Sequence, residues 1–287
     1  MITRRTIRIV ATGRYDGQTE WYESFASNET MSSARAFAVA LLGRGTGRCL
    51  DIGCGTGRAL HLLAERGWRV VGTDVSADQL EVAGRRARDV AHLVRADAHT
   101  LPFVDSDFDA AISVFTHTDF DDLRAAFTEA FRVLRPGSRF VYLGVHPCFA
   151  SPFVARAAAA DVDDAVALLR PGYRQPGWKV LPPDPQSVKV RARVGINHLP
   201  LSNFLNAFIG AGFSISRVEE PGGDDPPLFL AVAAVKPNGP REPREHDQVG
   251  VEPDALHRLT VEPRQEQRTS PQPRGAAPGT SRRSCPT

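Results

Sequence analysis

A glycine-rich turn is the feature that most constrains the fold of this chain. Residues 48–52 form a short apolar run, the sequence GCGTG follows at residues 53–57, and a helical pattern begins at about residue 58. A turn of this kind lets a ligand approach the backbone and the N-terminus of a helix at the edge of a Rossmann-like sheet. Because glycine-rich turns occur in many folds, the fold and ligand that this turn indicates depend on the sequence around it.

Short apolar runs alternate with helical patterns after this turn. The clearest helix has apolar residues at i, i+3, i+4 and i+7 and ends at Pro136-Gly137; its buried face is predicted to hold Leu123, Ala126, Phe127, Ala130, Phe131 and Leu134. Strands are predicted at residues 48–52, 69–73, 91–95, 109–115 and 138–145. This alternation predicts an α/β fold with a doubly wound, mostly parallel sheet.

The pattern changes after residue 146. Residues 147–199 are rich in Pro and Gly and are predicted to form a helical and loop cap inserted into the domain. A further amphipathic helix ends at Gly212, and its apolar face is predicted to contain Leu201, Phe204, Leu205, Phe208 and Ile209. Two strands, residues 214–219 and 228–236, follow with a short Pro- and Gly-rich loop between them, which predicts an antiparallel pair.

The C-terminal segment differs in composition from the rest. Residues 237–287 contain no Phe, Trp or Tyr and are dominated by Pro, Arg, Glu, Gln and Ser, so they are expected to be disordered. The predicted organisation is therefore an N-terminal lead-in at residues 1–30, a main domain at residues 31–236 and a tail at residues 237–287.

Composition limits the classes of partner. The net charge of +2 is too small to favour nucleic acid or an acidic membrane as the main partner, and no apolar run is long enough to span a bilayer. The four cysteines show neither CxxC pairs nor the density of a disulfide framework. We therefore expect a cytoplasmic protein.

Three acids stand at or beside the ends of predicted strands. Asp51 comes just before the glycine turn, Asp74 ends the second strand and Asp97 follows the third. Because the carboxyl ends of parallel strands meet at one edge of a sheet, the three side chains are expected to face one crevice. A carboxylate at the end of the second strand can accept hydrogen bonds from both hydroxyls of a ribose.

Five segments together resemble the successive motifs of class I S-adenosylmethionine-dependent methyltransferases of the small-molecule type: LDIGCGTGR, GTDVSADQL, ADAHTLPF, FDAAISVF and FRVLRPGSRFVY. The resemblance is good over residues 15–145 and implies a seven-stranded sheet whose last strand is reversed. It implies S-adenosylmethionine as the cofactor and, with the aromatic content of residues 147–199, a small-molecule acceptor.

The resemblance also implies roles for individual residues. Asp74 would hold the ribose and Asp97 the adenine amine. The acid Asp51 would order the loop and reach the cofactor amino group through water. The remaining cofactor-binding positions implied are Gly53, Cys54, Gly55, Gly57, Val75, Ala98, Ser113 and Thr116.

Candidate groups for the acceptor are fewer. His117 and His146 follow neighbouring strands and are candidate general bases, because the pKa of histidine lies near neutrality. His198 precedes the amphipathic helix and, with Tyr15 and Tyr22 of the lead-in, is a candidate for the substrate pocket. The alternative for each histidine is that it serves only to bond a nearby backbone group. The spacing of the three matches no compact metal motif, so no metal is expected.

Two other functions use the same sheet. A NAD-dependent oxidoreductase is disfavoured by the GxGxG spacing, by Asp97 and by the antiparallel final pair. A non-catalytic protein that binds S-adenosylmethionine is compatible with every motif above.

Overall fold

The computed structural model of the protein describes residues 13–149, 171–180 and 193–239, and the backbone of the strands Val154–Ala158 and Ala165–Leu169. Most of the segment expected to form the disordered tail, and much of the expected cap, therefore lie outside the described residues.

A seven-stranded sheet forms the centre of the domain. Its strand order is β10-β11-β5-β4-β1-β2-β3. The strand β11 runs antiparallel to β10 and to β5, and the other pairs are parallel. This confirms the predicted Rossmann-like sheet with a reversed C-terminal strand. The bounds are β1 Arg48–Ile52, β2 Arg69–Asp74, β3 Ala91–Arg95, β4 Phe108–Val114, β5 Leu134–Val145, β10 Ser214–Glu219 and β11 Phe229–Val235.

Helices cover both faces of this sheet, so alternate residues of its central strands enter two apolar clusters. Leu50 and Ile52 of β1 belong to one cluster, while Cys49 belongs to the other. Helices α2, α3 and α4 pack on one face, and α5 and α6 pack on the opposite face. The helices are α1 Thr19–Ala26, α2 Glu29–Leu42, α3 Leu60–Glu65, α4 Ala77–Arg86, α5 Leu123–Val133 and α6 Leu201–Ala211.

The helix ends follow the capping signals in the sequence. Ser76 Oγ accepts a hydrogen bond from the Gln79 N–H at the start of α4, and Asp122 caps α5 in the same way. Gly212 ends α6 with a φ of 102°, a conformation that favours glycine.

Two predictions about helices are wrong in detail. The helix α5 ends at Val133, and Leu134 already belongs to β5, where it pairs with Phe108. A proline disfavours helical backbone in the residue before it, so Pro136 shortens the helix and lengthens the strand. In α6 the side chain of Ile209 is 43% exposed, because it lies five residues from Phe204 and therefore off the buried face.

The insertion also differs from the prediction. Where the structure describes residues 147–199, it contains helical backbone at residues 193–194 and four short strands in two antiparallel pairs that the sequence did not predict: β6 Val154–Ala158, β7 Ala165–Leu169, β8 Gly177–Lys179 and β9 Ile196–His198. Strands of three to five residues are too short to give a recognisable period. No helix in the described part of the chain has the length and apolar character needed to cross a membrane.

Candidate functional site

A cavity of about 1040 Å³, including the part that opens to solvent, lies at the carboxyl ends of β1, β2, β3 and β4. This is where the strand order of the sheet reverses, the usual place for a ligand in an open α/β sheet. Nine residues singled out from the sequence line it: Tyr15, Tyr22, Gly53, Gly55, Asp74, Val75, Asp97, Ala98 and Thr116.

The glycine loop brings its backbone close to this cavity. Gly53 has a φ of 72°, and a Cβ at this position would lie 2.5 Å from Thr116 Cγ2, so only glycine fits without displacing the end of β4. Gly57 does not line the cavity. Its missing Cβ leaves room for Leu60 and Ala83, at 2.9 and 3.1 Å, so Gly57 serves the packing of the loop against α4.

Asp74 joins the glycine loop to the start of α4. Its Oδ2 accepts a hydrogen bond of 2.9 Å from the Gly55 N–H, and its Oδ1 accepts one of 2.9 Å from the Ser76 N–H. Burial raises the pKa of Asp74 to about 6, although these bonds oppose the shift. Each carboxylate oxygen can accept more than one hydrogen bond, so the group can bind a ligand donor while it holds the loop.

A smaller cavity adjoins the first on the other side of the loop. Asp51 and Cys54, both predicted cofactor-binding residues, line this smaller cavity and not the larger one, together with Arg35 and Arg58. Asp51 is 2% exposed. Burial raises its pKa to about 7, with a further contribution from the charge of Asp74 and an opposing one from Arg35.

Arg35 is a site residue that sequence reasoning missed. Its guanidinium is buried, donates a hydrogen bond of 3.0 Å to the Ala26 carbonyl oxygen, and faces the smaller cavity that Asp51 also lines. Burial lowers the pKa of Arg35. In the sequence Arg35 is one polar residue of an amphipathic helix, and only the fold shows that it lies beside the glycine loop.

Asp97 is held by a histidine. The backbone N–H of His99 donates to Asp97 Oδ1 at 2.9 Å, and His99 Nδ1 lies 2.6 Å from the same oxygen. His99 Nε2 accepts a bond of 3.3 Å from the Asp122 N–H, so the proton of the neutral ring is on Nδ1 and points at Asp97. The carboxylate therefore has a fixed orientation at the rim of the cavity.

Hydrogen bonds of a buried serine fix the end of β4. Ser113, predicted to bind the cofactor, is fully buried and does not line either cavity. Its hydroxyl donates to the Ile52 carbonyl oxygen at 2.8 Å and accepts from Thr116 Oγ1 at 2.6 Å. Ser113 therefore supports Thr116, which does line the larger cavity. Between them, Phe115 has a φ of 62°, an uncommon conformation for a residue with a side chain.

The geometry does not support His117 and His146 as general bases. Both are buried, and neither lines either of the two cavities described above. His117 Nδ1 forms a hydrogen bond with the Tyr142 hydroxyl inside the aromatic core. His146 Nε2 bonds Glu220 at 2.9 Å, and its Nδ1 accepts from the Cys148 N–H at 3.1 Å.

His198 is likewise outside the cavity. It is buried, and its Nε2 donates to the Tyr173 carbonyl oxygen at 2.7 Å. The hydroxyl of Tyr173 accepts a bond of 2.7 Å from the Leu201 N–H at the start of α6. His198 and Tyr173 therefore fasten the insertion to α6, and no group of three or more His, Cys, Asp or Glu side chains among the described residues is arranged to hold a metal ion.

The lead-in covers the cavity and is anchored by Glu23. This carboxylate of α1 pairs with Arg58 at 3.0 Å and with Arg86, and it accepts a hydrogen bond from the Thr56 hydroxyl of the glycine loop. Burial raises the pKa of Glu23, but the bonds and charges of these partners outweigh it and lower the pKa to about 2. Tyr22, the preceding residue, lines both cavities.

Gln79 is the second residue that the sequence did not reveal. It lies in the first turn of α4, is 2% exposed, and lines the larger cavity. Neither the nitrogen nor the oxygen of its side-chain amide has a hydrogen-bond partner. A buried amide without partners costs about 1–3 kcal/mol, which is the expected cost of holding a group ready for a ligand.

A family model described as a methyltransferase domain matches residues 50–142. The O-methyltransferase cnsE of Penicillium expansum is 39% identical over 147 residues, which cover 46% of this chain and 52% of that protein. A demethylmenaquinone methyltransferase of Thermus thermophilus is 42% identical over 105 residues, covering 35% of this chain and 48% of that protein. The chain thus spans about half the length of these curated relatives.

Solved structures match over a larger part of the chain. The S-adenosylmethionine-dependent methyltransferase of Mesorhizobium loti is 26% identical, with a TM-score of 0.60. The match covers 73% of this chain and 98% of that structure.

Proposed function

We propose that this protein, whose residues 50–142 match a family model described as a methyltransferase domain, transfers a methyl group from S-adenosylmethionine to a small-molecule acceptor. The observation that carries the proposal is that the glycine loop, Asp74 and Asp97 surround one cavity at the reversal point of the sheet. These groups correspond to the parts of the methyl donor that a protein can recognise: a ribose, an adenine and an amino acid.

Gln79 is the first residue that shows whether the cavity fits the methyl donor. Its buried amide, which has no hydrogen-bond partner, offers both a donor and an acceptor to a ligand in the cavity. Asp74 is suited to the ribose hydroxyls, because carboxylate oxygens accept hydrogen bonds from both. Asp97, fixed by His99, is suited to the adenine amine.

The smaller cavity is suited to the amino-acid end of the donor. Asp51 offers a carboxylate to an ammonium group, and Arg35 offers a guanidinium to a carboxylate. Because burial raises the pKa of Asp51, a bound ammonium group would also shift this carboxyl towards its ionised form. A zwitterion matches the two opposite charges, whereas the pyrophosphate of NAD would meet carboxylates in both cavities.

The donor supplies a methyl group on a positively charged sulfur, which is a good leaving group. The main work of the protein is then to align the acceptor and to exclude water. The lead-in, anchored through Glu23, covers the cavity. We propose that residues 147–199 form a substrate cap. Its strands β8 and β9 lie beside the loop after β4, because the Asn197 N–H of β9 donates a hydrogen bond of 2.7 Å to the Thr118 carbonyl oxygen.

We also propose a cytoplasmic location and no role for nucleic acid. The described cysteines Cys49, Cys54 and Cys148 are free thiols, and the net charge of +2 gives no electrostatic reason to bind a polyanion. The relatives named above are an O-methyltransferase and a demethylmenaquinone methyltransferase, and the second name specifies a small-molecule acceptor, which supports an acceptor of that class.

A transfer experiment tests the proposal. The purified protein is incubated with S-adenosylmethionine carrying a labelled methyl group and with a cell extract, and Asp74→Ala is used as a control. We expect label in the small-molecule fraction with the wild type and at least tenfold less with the variant. Label confined to protein or RNA contradicts a small acceptor, and no enzyme-dependent label favours a protein that binds the donor without catalysis.

A further inference from the structure

The two cavities meet at a junction formed by the residues that line both of them: Tyr22, Gly53, Gly55, Val114 and Phe115. None of the five has a charged side chain. Tyr22 and Phe115 bring aromatic rings to the junction, whereas the carboxylates of Asp51 and Asp74 line the smaller and the larger cavity on either side of it. The junction therefore differs in chemistry from both cavities.

The proposed function determines which part of the methyl donor reaches this junction. The nucleoside of the donor is assigned to the larger cavity and its amino-acid end to the smaller one, and the sulfur atom links these two parts. A donor that occupies both cavities therefore has its sulfur at the junction. The sulfur of S-adenosylmethionine carries a positive charge, whereas the sulfur of the product, S-adenosylhomocysteine, is neutral.

Phe115 reaches the junction through an uncommon backbone conformation. Its φ of 62° is unfavourable for a residue with a side chain and would cost glycine nothing. The conformation is fixed by the bond of 2.7 Å from the Phe115 N–H to the Leu143 carbonyl oxygen, and by the hydroxyls of Ser113 and Thr116, which bond each other at 2.6 Å. A strained backbone that carries a bulky ring into a cavity indicates that the ring has a role there.

The ring of Phe115 already faces one cation. Arg35 Cζ lies over the ring at 5.6 Å from its centroid, within the distance at which the face of an aromatic ring attracts a positive charge. Phe229 packs against the same ring, with 5.5 Å between the centroids, and fixes its orientation. The ring is therefore held so that its electron-rich face is available to a cation in this part of the site.

We propose that Phe115 recognises the positive charge on the sulfur of the methyl donor and thereby favours the donor over its product; this rests on the proposed function. An aromatic ring attracts a desolvated cation without presenting an oxygen that could itself take the methyl group. When the methyl group moves to the acceptor, the electron pair of the S–CH₃ bond stays on sulfur, which becomes neutral. The attraction to the ring is then lost, so Phe115 stabilises the donor complex and not the product complex.

The test compares two ligands that differ only in the methyl group and its charge. S-adenosylmethionine and S-adenosylhomocysteine are titrated separately into the wild type and into Phe115→Leu, and calorimetry gives the two dissociation constants. We expect the variant to bind S-adenosylmethionine about fivefold more weakly and S-adenosylhomocysteine within about twofold of the wild type. The ratio of the two constants is decisive, because a change in Arg35 or in the shape of the cavities acts on the parts that both ligands share.

A second replacement keeps the shape of the ring and changes its charge distribution. Pentafluorophenylalanine, introduced at position 115 alone, reverses the electrostatic potential of the ring face, and we expect it to change the ratio by about fivefold or more in the same direction. Phe115→Tyr retains an electron-rich ring and should keep the ratio within about twofold. The control is Phe120→Leu, which removes a ring that lines the larger cavity and not the smaller one, and should leave the ratio unchanged.

A ratio that stays within about twofold of the wild type in both Phe115→Leu and the pentafluorophenylalanine variant overturns this inference. A change in the ratio that is as large in Phe120→Leu as in Phe115→Leu overturns it as well, because recognition of the charge would then not be located at the junction. Failure of the wild type to bind either ligand overturns the proposed function instead, so the two failures are distinguishable.

Discussion

Two groups of polar residues lie near the carboxyl edge of the same sheet and differ in their hydrogen-bond partners. The cradle group consists of Asp51, Asp74, Gln79 and Asp97, and all four line a cavity. The insertion group consists of His146, Cys148, Tyr173 and His198. In the insertion group, protein groups are the partners, as in the bond of 2.7 Å from His198 to the Tyr173 carbonyl oxygen.

The cradle group is held in a less stable state. Gln79 is buried without a partner, and burial raises the pKa values of Asp51 and Asp74. Both features cost stability, which a ligand with matching donors and charges would recover. In the insertion group, burial with partners contributes to stability without a ligand. The comparison shows that a buried amide without a partner, as in Gln79, and buried carboxylates with raised pKa values, as in Asp51 and Asp74, indicate a binding site better than the residue type does.

The strongest way to break this contrast is to remove Asp74. We expect Asp74→Ala to weaken binding of S-adenosylhomocysteine at least tenfold, because hydrogen bonds to a charged group contribute about 1.5–3 kcal/mol. Calorimetric titration measures the change, with Asp105→Ala as a control that removes an exposed carboxylate. An unchanged affinity would remove Asp74 from the site.

The pH dependence of stability and of ligand affinity tests the cradle group without a mutation. Asp51 and Asp74 have folded pKa values of about 7 and about 6, above their ordinary values, so the folded apo protein binds more protons than the unfolded chain between about pH 4 and pH 7. Apo stability should therefore fall as pH rises through this range.

Affinity for S-adenosylhomocysteine should change in the opposite direction, because its ammonium group favours an ionised Asp51. We expect affinity to rise about tenfold between about pH 5.5 and pH 7.5, and Asp51→Asn to flatten both trends. A flat affinity profile for the wild type would show that neither carboxyl meets the ligand.

Gln79 gives a smaller effect with two opposite signs. Gln79→Leu removes an amide that has no partner, so the apo protein should gain about 1 kcal/mol of stability, seen as a higher Tm. The same variant should bind S-adenosylhomocysteine about fivefold more weakly. A variant that loses stability and retains full affinity would show that the amide serves the fold and not a ligand.

His198 tests the other side of the comparison. His198→Phe should lower the free energy of unfolding by about 1–3 kcal/mol, because the Tyr173 carbonyl oxygen loses its buried donor. Affinity for S-adenosylhomocysteine should stay within twofold, measured on the folded fraction. A large loss of affinity with no loss of stability would move His198 into the binding site.

Sequence reasoning succeeded where local signals and sheet geometry decide the outcome. The βα alternation and the final Pro- and Gly-rich loop predicted the sheet with its reversed strand, and Gly212 predicted the end of α6. The strand-end positions of Asp51, Asp74 and Asp97 predicted that all three face one crevice, because parallel strands end at one edge. Asp74 and Asp97 do line one cavity, whereas Asp51 lines the smaller cavity beside it.

Sequence reasoning failed where the position of a side chain depends on contacts between segments that are distant in the chain. Arg35 and Gln79 lie on helices whose sequences show only amphipathic patterns, and their burial beside the cavity follows from the packing of α2 and α4. The side chains of His117 and His146 follow strands as expected, but each points into protein. A position at a strand end does not fix the direction of the side chain.

The most direct test of the central claim is a calorimetric titration of the wild-type protein with S-adenosylhomocysteine and, separately, with NAD. The cavity described here should bind S-adenosylhomocysteine with a dissociation constant on the order of micromolar, about −8 kcal/mol, and should give no heat of binding with NAD. Binding of NAD without binding of S-adenosylhomocysteine would contradict the account.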